Sequence, residues 1–282
     1  MRRRKITERI VQGLMVLSLG ALGLCFLSLL LLVVFRGLHG LTPAMLLETP
    51  KGGFYLGKEG GIANAIVGSL LLSIGATLLS LAVGLPLAFA LQREYSSARM
   101  RAATRLMLDV LWGTPSIVFG AFGFVIMQLV GLRTSLLAGT LTLALVILPI
   151  MVRTMEEVLR MIPPDFKETV WSLGLTRTEA FLRVLSRQAL PGFLMAILLA
   201  FGRGIGDAAS ILFTAGYTDN LPSSLLDPVA SLPLSIFFQI STPIAEVQDR
   251  GYASALVLLV LVILVQVVAF GLNRRFSRHL IR

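Results

Sequence analysis

The chain contains several runs of about 20 or more residues that carry almost no charge. A helix of about 20 apolar residues is long enough to cross the ~30 Å hydrocarbon core of a bilayer. Of the 282 residues, 56% are hydrophobic and only 14% are charged, and a soluble domain of this size cannot bury so much apolar side chain. We therefore predict an all-α integral membrane protein with six transmembrane helices. The predicted spans lie at about 11–35, 64–92, 107–131, 135–152, 191–217 and 252–272.

The six spans leave no room for a second domain. We predict a cytoplasmic tail at 1–10 and one membrane domain over 11–282. The first span is longer than the core of a signal peptide, and no small-residue cleavage site follows it, so it is interpreted as a retained helix. The single cysteine, Cys25, lies in this span and excludes a disulfide or a thiolate metal site. We expect Cys25 to be a small core residue.

Basic residues are distributed unevenly between the loops. The formal net charge is +10. The N-terminus, the 93–106 loop, the 153–190 loop and the C-terminus carry nineteen Lys and Arg, whereas the alternate loops carry five. Because cytoplasmic loops are enriched in Lys and Arg, both termini and the 153–190 segment are predicted to be cytoplasmic. The basicity is thus explained by membrane orientation and contact with anionic lipid, and not by nucleic-acid binding.

The 153–190 loop carries the signals of a helical hairpin. Pro163 and Pro164 end the helix that leaves the fourth span, and proline also fits the first turn of a new helix. Gly174 is suited to end that new helix, because glycine reaches positive φ without steric cost. Thr176 followed by Glu179 matches a capping box. We therefore predict two short amphipathic helices at about 165–187.

Each predicted hairpin helix has an apolar side. The apolar residues that recur at helical spacing are Phe166, Val170 and Leu173 in the first helix and Phe181, Val184 and Leu185 in the second. Two short helices bury little against each other. The hairpin therefore either docks on a cytoplasmic partner or packs only on its own bundle.

The predicted fifth span contains two charged residues within the motif GRGIGD. Arg203 lies twelve residues beyond Pro191, near the middle of the membrane, and Asp207 follows four residues later on the same helical face. A charge at that depth costs several kcal/mol unless it is paired or hydrated. The two residues form either an ion pair that fixes helix packing or a cationic gate for an anion, in which Asp207 limits how tightly Arg203 holds the ligand.

The third span contains the segment GTPSIVFGAFG, which combines Pro115 with three glycines. Small residues let helices approach closely in lipid, and proline is tolerated where neighbouring groups satisfy the freed carbonyls. The segment is interpreted either as ordinary helix packing or as the lining of a translocation path near Pro115.

The remaining motifs do not build an enzymatic site. Residues 52–58 match the G-x-x-x-x-G-K part of a phosphate-binding loop, but Glu59 stands where Ser or Thr should ligate Mg²⁺. His39 and His279 have no neighbouring ligand cluster and no nucleophile to serve. Asp109 opens the third span and is interpreted as structural. We therefore predict no catalytic, cofactor-binding or metal-binding residues on this chain.

The hairpin resembles that of permease subunits of ABC transporters. The segment Glu168-Thr-Val-Trp-Ser-Leu-Gly174 is similar to the family's E-A-A-x-x-x-G loop, with Thr169 and Val170 in place of the two alanines. The family's later Leu-Pro is missing, since Ser186 and Arg187 stand there. In that family this hairpin enters a cleft on the ATP-hydrolysing subunit.

Two membrane segments narrow the resemblance to phosphate permeases. GRGIGDAASILFTAG is similar to their A-R-A-I-G-E-T-A-P-L-L-x-T-A-G segment, with Asp207 in place of glutamate. Pro115-Ser-Ile-Val-Phe-Gly120 matches their P-S-I-V-F-G segment. Residues 60–76 and 231–243 resemble the A-type subunit more than its C-type partner.

The resemblance implies a type I ABC importer permease (MetI-like) fold in the bacterial cytoplasmic (inner) membrane. It implies a homologous C-type phosphate permease subunit, an ATP-binding subunit dimer that holds the ATP and Mg, and an extracytoplasmic phosphate-binding protein as partners, besides membrane lipid. The implied path or gate residues are Arg203, Asp207, Pro115 and Ser116, and the implied ATPase-coupling residues are Glu168, Gly174, Phe166, Trp171 and Leu173. The alternatives are an importer of another oxyanion or small solute, a membrane scaffold that recruits a cytoplasmic partner, and an intramembrane enzyme.

Overall fold

The computed structural model describes residues 2–51 and 59–276, and this part of the chain is mainly helical. The helices are α1 (Arg2–Gly40), α2 (Pro43–Leu47), α3 (Ala63–Ala90), α4 (Ala98–Gly113), α5 (Ser116–Leu129), α6 (Leu136–Arg160), α7 (Pro164–Ser172), α8 (Arg177–Glu179), α9 (Ser186–Ile205), α10 (Leu232–Ile240) and α11 (Ala245–Phe276), and a π-helix over Ala180–Leu185 joins α8 to α9. Two short strands, β1 (Pro50–Lys51) and β2 (Glu59–Gly60), pair antiparallel with Pro50 opposite Gly60.

Apolar helix length supports the predicted membrane class. Within the described residues, five helical segments are long and apolar enough to cross a membrane, and α4 with α5 makes a sixth if the bent pair is one span. The five segments are Thr7–Gly40, Ala63–Ala90, Leu136–Arg160, Arg177–Ile205 and Ala245–Gly271. The prediction of an all-α, multi-pass membrane protein is confirmed, with five or six spans.

The third predicted span is not one continuous helix. α4 and α5 meet at an angle of 101°, and the break lies at Thr114 and Pro115. Proline has no N–H for the helical ladder, and its ring disfavours helical backbone in the preceding residue. Thr114 accordingly has φ −79° and ψ 127°. The expectation of one helix over 107–131 is therefore wrong, and a sharp corner lies at the segment predicted to line the path.

The fifth predicted span is helical only in its first part. α9 ends at Ile205, and most of residues 206–216 form turns. The expectation of one helix over 191–217, with both charges on one helical face, is wrong because Asp207 follows the end of the helix. We call residues 206–216 the turn segment.

The turn segment is enclosed by the bundle. Ser210 and Thr214 within it are fully buried. It reaches the N-terminal end of α6, where the N–H of Ser135 donates to the carbonyl of Thr214 at 2.9 Å. Non-helical backbone is tolerated at membrane depth only where protein or a cavity surrounds it, and the burial of these side chains meets that condition.

The core is built around α6, which packs against α3, α4, α5 and α9. Ile147, Met151 and Met155 of α6 are fully buried. The first helix, α1, lies outside this core. The C-terminal part of α1 packs on α11, where Gly37 lies against Leu256. Cys25 of α1 is exposed, so the expectation that it is a core residue is wrong.

The loop before α10 is held by one carboxylate. Asp227 accepts hydrogen bonds from the N–H of Ser223 at 2.9 Å, its hydroxyl at 2.8 Å and the N–H of Ser224 at 2.9 Å. The hydroxyl of Ser223 and the two N–H groups hold the pKa of Asp227 below its usual range. The carbonyl of Asp227 accepts from the N–H of Leu136 at 2.8 Å, which ties this loop to the start of α6.

Candidate translocation site and coupling hairpin

The structure brings Arg203 and Asp207 together across the end of α9. Arg203 Nη1 lies 3.5 Å from Asp207 Oδ2. The Asp207 side chain is 5% exposed and that of Arg203 is 48% exposed. Asp207 Oδ1 accepts a hydrogen bond from the N–H of Ala209 at 3.2 Å, so the carboxylate also shapes the backbone beyond the helix. A separation of 3.5 Å is long for a charge-assisted hydrogen bond, and the guanidinium keeps its donors available.

Arg203 opens into a cavity of about 240 Å³. Thr114 and Ser116 from the corner between α4 and α5 line it, and Pro115 lies between them at the corner itself. α6 contributes Pro149, near the middle of its length, to the same lining. The cavity therefore lies at the depth of mid-α6, and three of the four predicted path residues, Arg203, Ser116 and Pro115, meet at or beside it.

Helix α5 and the turn segment follow the residues predicted to line the path. They pack directly against each other at Gly120, where no side chain separates them. A Cβ placed on Gly120 of α5 would lie 2.8 Å from the carbonyl oxygen of Ser210 and 2.9 Å from that of Ala209. Only glycine allows this approach of α5 to the turn segment. The turn segment after α9 and helix α5 therefore form one packed unit.

Asp207 faces a second, polar environment. It borders a narrow cleft together with Ser69 and Ser73 of α3 and with Ser231. Within the described residues, Asp207 Oδ2 and the hydroxyl of Ser210 are buried and make no hydrogen bond. Buried polar groups that make no hydrogen bond mark a site of strain or of a bound water or ion, and Asp207 is also the ion-pair partner of Arg203.

The turn of the predicted hairpin forms as its local sequence signals predict. Pro163 precedes α7, and Gly174 beyond the end of α7 has φ +73°. The capping box is complete: the hydroxyl of Thr176 accepts from the N–H of Glu179 at 3.3 Å, and the Glu179 carboxylate accepts from the N–H of Thr176 at 3.1 Å. The helix that starts here is not a separate short one, because it continues through the π-helix into α9 as far as Ile205.

The predicted coupling residues divide between two faces of α7 and the turn after it. Phe166 is half-buried and packs on the main core, beside the buried Val170. Glu168 and Leu173 are exposed, and the half-buried Trp171 lines a cavity beside the hairpin together with Glu168. The face available to a partner therefore includes Leu173 and Glu168, while Phe166 anchors the hairpin.

Sequence reasoning missed an aromatic cluster that holds the hairpin to the bundle. Phe89 at the end of α3 contacts Tyr95, Phe181 of the π-helix and Phe193 of α9. The hydroxyl of Tyr95 donates to the carbonyl of Arg177 at 2.9 Å, and burial raises the pKa of Tyr95. These aromatic residues are far apart in sequence, so no spacing rule predicts their contact.

Sequence reasoning also missed a buried carboxylate bound by three arginines. Glu156 of α6 is 2% exposed. Its Oε1 accepts from Arg105 of α4 at 2.8 and 3.1 Å and from Arg160 at 2.7 Å, and its Oε2 accepts from Arg153 at 3.3 Å. Arg153 also pairs with Asp109, which agrees with the structural interpretation of Asp109. The available signals were the i,i+3 spacing of Arg153 and Glu156 and the i,i+4 spacing of Glu156 and Arg160.

Two motifs considered in the sequence cannot be placed. The phosphate-loop-like segment 52–58 and His279 lie outside the described residues.

Known proteins with similar sequences are transport permeases. A family model for the binding-protein-dependent transport system inner membrane component matches residues 80–282. The phosphate transport system permease protein PstA of Xylella fastidiosa (strain 9a5c) is 37% identical over 213 residues, which cover 74% of this chain and 73% of the relative. PstA of Yersinia pestis is 31% identical over 269 residues, which cover 95% of this chain and 90% of the relative.

A solved structure has the same fold. The inward-facing MetNI methionine ABC transporter matches with a TM-score of 0.63 at 18% identity, over 76% of this chain and 95% of that chain. The predicted MetI-like permease fold is confirmed by this likeness.

Proposed function

This chain belongs to the family of binding-protein-dependent transport system inner membrane components, and from that premise we propose that it is the A-type permease subunit of an ATP-driven phosphate importer. The names of its relatives support phosphate as the solute. The observation that carries the proposal is the half-exposed Arg203 in a cavity at the depth of mid-α6.

Arg203 is suited to hold an oxyanion briefly. A guanidinium presents a planar set of donors that matches a phosphate, and the hydroxyl of Ser116 lines the same cavity. Asp207 lies 3.5 Å from the guanidinium and opposes the charge of a bound anion. We infer that this opposition keeps affinity low enough for release, so that the pair acts as a gate and not as a storage site.

The exposure of Arg203 also argues for a second permease subunit. A half-exposed guanidinium at mid-membrane depth is costly against lipid. A homologous C-type subunit that covers this face would replace lipid with a polar path between the two subunits. The exposed apolar side chains of α5 would also contact this partner subunit.

The hairpin is proposed to connect this path to an ATPase dimer, which holds the ATP and Mg. The distribution of Lys and Arg supports cytoplasmic termini and a cytoplasmic hairpin. Leu173 and Glu168 provide an exposed contact face, and the contact of Phe181 with Phe89 would pass its displacement into the bundle. A phosphate-binding protein would deliver the solute from outside, in the setting of a bacterial inner membrane.

The proposal is tested by phosphate uptake into vesicles that contain the assembled transporter. Arg203→Glu should reduce uptake to background while the complex stays assembled, and Arg203→Lys should retain part of it because the charge remains but the bidentate geometry is lost. Arg133→Glu, an exposed reversal in the 130–135 loop, is the matched control and should transport normally. Uptake that survives Arg203→Glu would refute the gate.

Two further measurements separate the alternatives. Excess sulfate or molybdate should not compete with labelled phosphate if phosphate is the solute. Phosphate-loaded binding protein should stimulate ATP hydrolysis by the complex; an unchanged rate would instead favour a scaffold that moves no solute.

A further inference from the structure

A second cavity, of about 740 Å³, lies beside the hairpin and separate from the cavity of Arg203. Its walls come from the turn after α3, from α4, from the end of α6 and from α7. Neither the path nor the docking face of the hairpin explains it, although Glu168 and Trp171 form part of its rim.

The wall of this cavity is strongly basic. Its basic side chains are Arg93, Arg101, Arg105, Arg160 and Lys167, and its acidic side chains are Glu94 and Glu168. Positive charge is therefore in excess around a space that is large enough for a polyatomic anion.

Part of this positive charge has no counter-charge within the described part of the chain. Arg105 and Arg160 bind Glu156, and Lys167 Nζ lies 3.7 Å from Glu94. Arg101 donates to the carbonyl of Ser96. Among residues 2–51 and 59–276, no carboxylate lies within ion-pair distance of Arg93 or Arg101.

We propose that this cavity binds a phosphate group, either of free inorganic phosphate or of an anionic phospholipid headgroup. Arginine is the preferred residue for phosphate because its fork of donors matches the phosphate oxygens. Basic pockets at the cytoplasmic face of membrane helices accept anionic headgroups, and the exposed Met100, Leu106 and Met107 on α4 would place acyl chains nearby. The proposal does not depend on which solute the permease carries.

A phosphate group in this position would connect the hairpin to the bundle. Arg101 belongs to α4 and Arg93 to the turn after α3, whereas Lys167 belongs to α7. An anion held by all three would hold α7 at a fixed distance from the membrane helices. Occupancy would therefore bias the position of the element proposed to contact the ATPase.

The test uses the assembled transporter, stripped of lipid in neutral detergent and free of nucleotide. In one arm, equilibrium dialysis measures binding of radiolabelled inorganic phosphate. In the other arm, native mass spectrometry compares binding of phosphatidylglycerol with that of phosphatidylcholine. Saturable phosphate binding identifies the free anion, and preference for phosphatidylglycerol identifies the lipid headgroup.

Variants locate the binding. Arg93→Gln with Arg101→Gln should weaken it about tenfold or more, while Arg183→Gln with Arg187→Gln, which removes the same charge from exposed hairpin positions, should leave it unchanged. Arg101→Lys should bind with intermediate affinity and guards against a double variant that fails to fold. Both arms are repeated with Arg203→Glu, so that binding in the path is counted separately. Absence of binding in both arms, or equal binding by the double variant, overturns the proposal.

Discussion

Replacing Glu156 by glutamine tests whether one buried carboxylate holds α4 onto α6. The carboxylate is 2% exposed and is the shared acceptor of Arg105, Arg153 and Arg160. Arg105 belongs to α4, and the other two belong to α6 itself. The substitution keeps the size of the side chain and one oxygen acceptor, and it removes the charge.

The magnitude follows from the geometry. Three contacts of 2.7 to 3.1 Å reach Oε1, which glutamine retains as a neutral oxygen. A hydrogen bond to a charged group contributes about 1 kcal/mol more than a neutral one, so the three together lose about 3 kcal/mol. The arginine side chains are 29% to 47% exposed, and solvent screening reduces the expected loss of unfolding free energy to about 2 kcal/mol.

The measurement is unfolding of the purified chain in mixed micelles, followed by helical circular dichroism as the fraction of dodecyl sulfate rises. Glu157→Gln is the matched control, since its side chain is exposed on the same helix, and it should stay within about 0.5 kcal/mol of the parent protein. In an Arg105→Gln background, the effect of Glu156→Gln should shrink because the two share contacts. Equal unfolding of the two glutamine variants, or a more stable Glu156→Gln, would show that this carboxylate does not hold α4 in place.

The remaining predictions concern the path, the hairpin and the loop before α10. Gly120→Ala should lower uptake, because its Cβ would meet backbone carbonyls of the turn segment at 2.8 and 2.9 Å, whereas Gly113→Ala, with no atom within 4 Å, should not. Gly174→Ala should cost about 1 kcal/mol because φ is +73°, and ATPase stimulation should fall with it. The pKa of Asp227 is lowered by folding, so its stabilisation is complete above the unfolded value of about 4 and is lost as pH falls through the folded value. Hydrogen exchange at residues 223–227 should therefore accelerate in acid, and Asp227→Asn should remove that pH dependence.

Local signals predicted the hairpin turn well, since their causes are local. Gly174 adopts positive φ and Thr176 with Glu179 forms the capping box within four residues of sequence. The presence of membrane-spanning helices was predicted equally well from the sequence, because an apolar run long enough to cross a bilayer has few other stable forms. Neither result required knowledge of a distant contact.

The interrupted spans could not be read from the same signals. Pro115 indicates a break, but an angle of 101° depends on how α5 packs on the turn segment through Gly120. The motif GRGIGD indicates a weak helix, yet whether it bends or ends is decided by the burial of the residues that follow it. Arg105 and Glu156 are 51 positions apart, and only the packing of α4 on α6 places them in contact.

The helix that begins at the hairpin is the helix that ends beside Arg203, the proposed gate. Thr176 caps a segment that continues without a break from Arg177 to Ile205, and Arg203 lies in its last turn. At 1.5 Å per residue this segment is roughly 43 Å long, so it connects the capped end of the hairpin directly to Arg203. The π-helix at Ala180–Leu185 lies where the aromatic cluster holds this helix. A pivot at that point would turn motion of the hairpin into motion of Arg203 against Asp207, which is fixed to the turn segment and not to the helix.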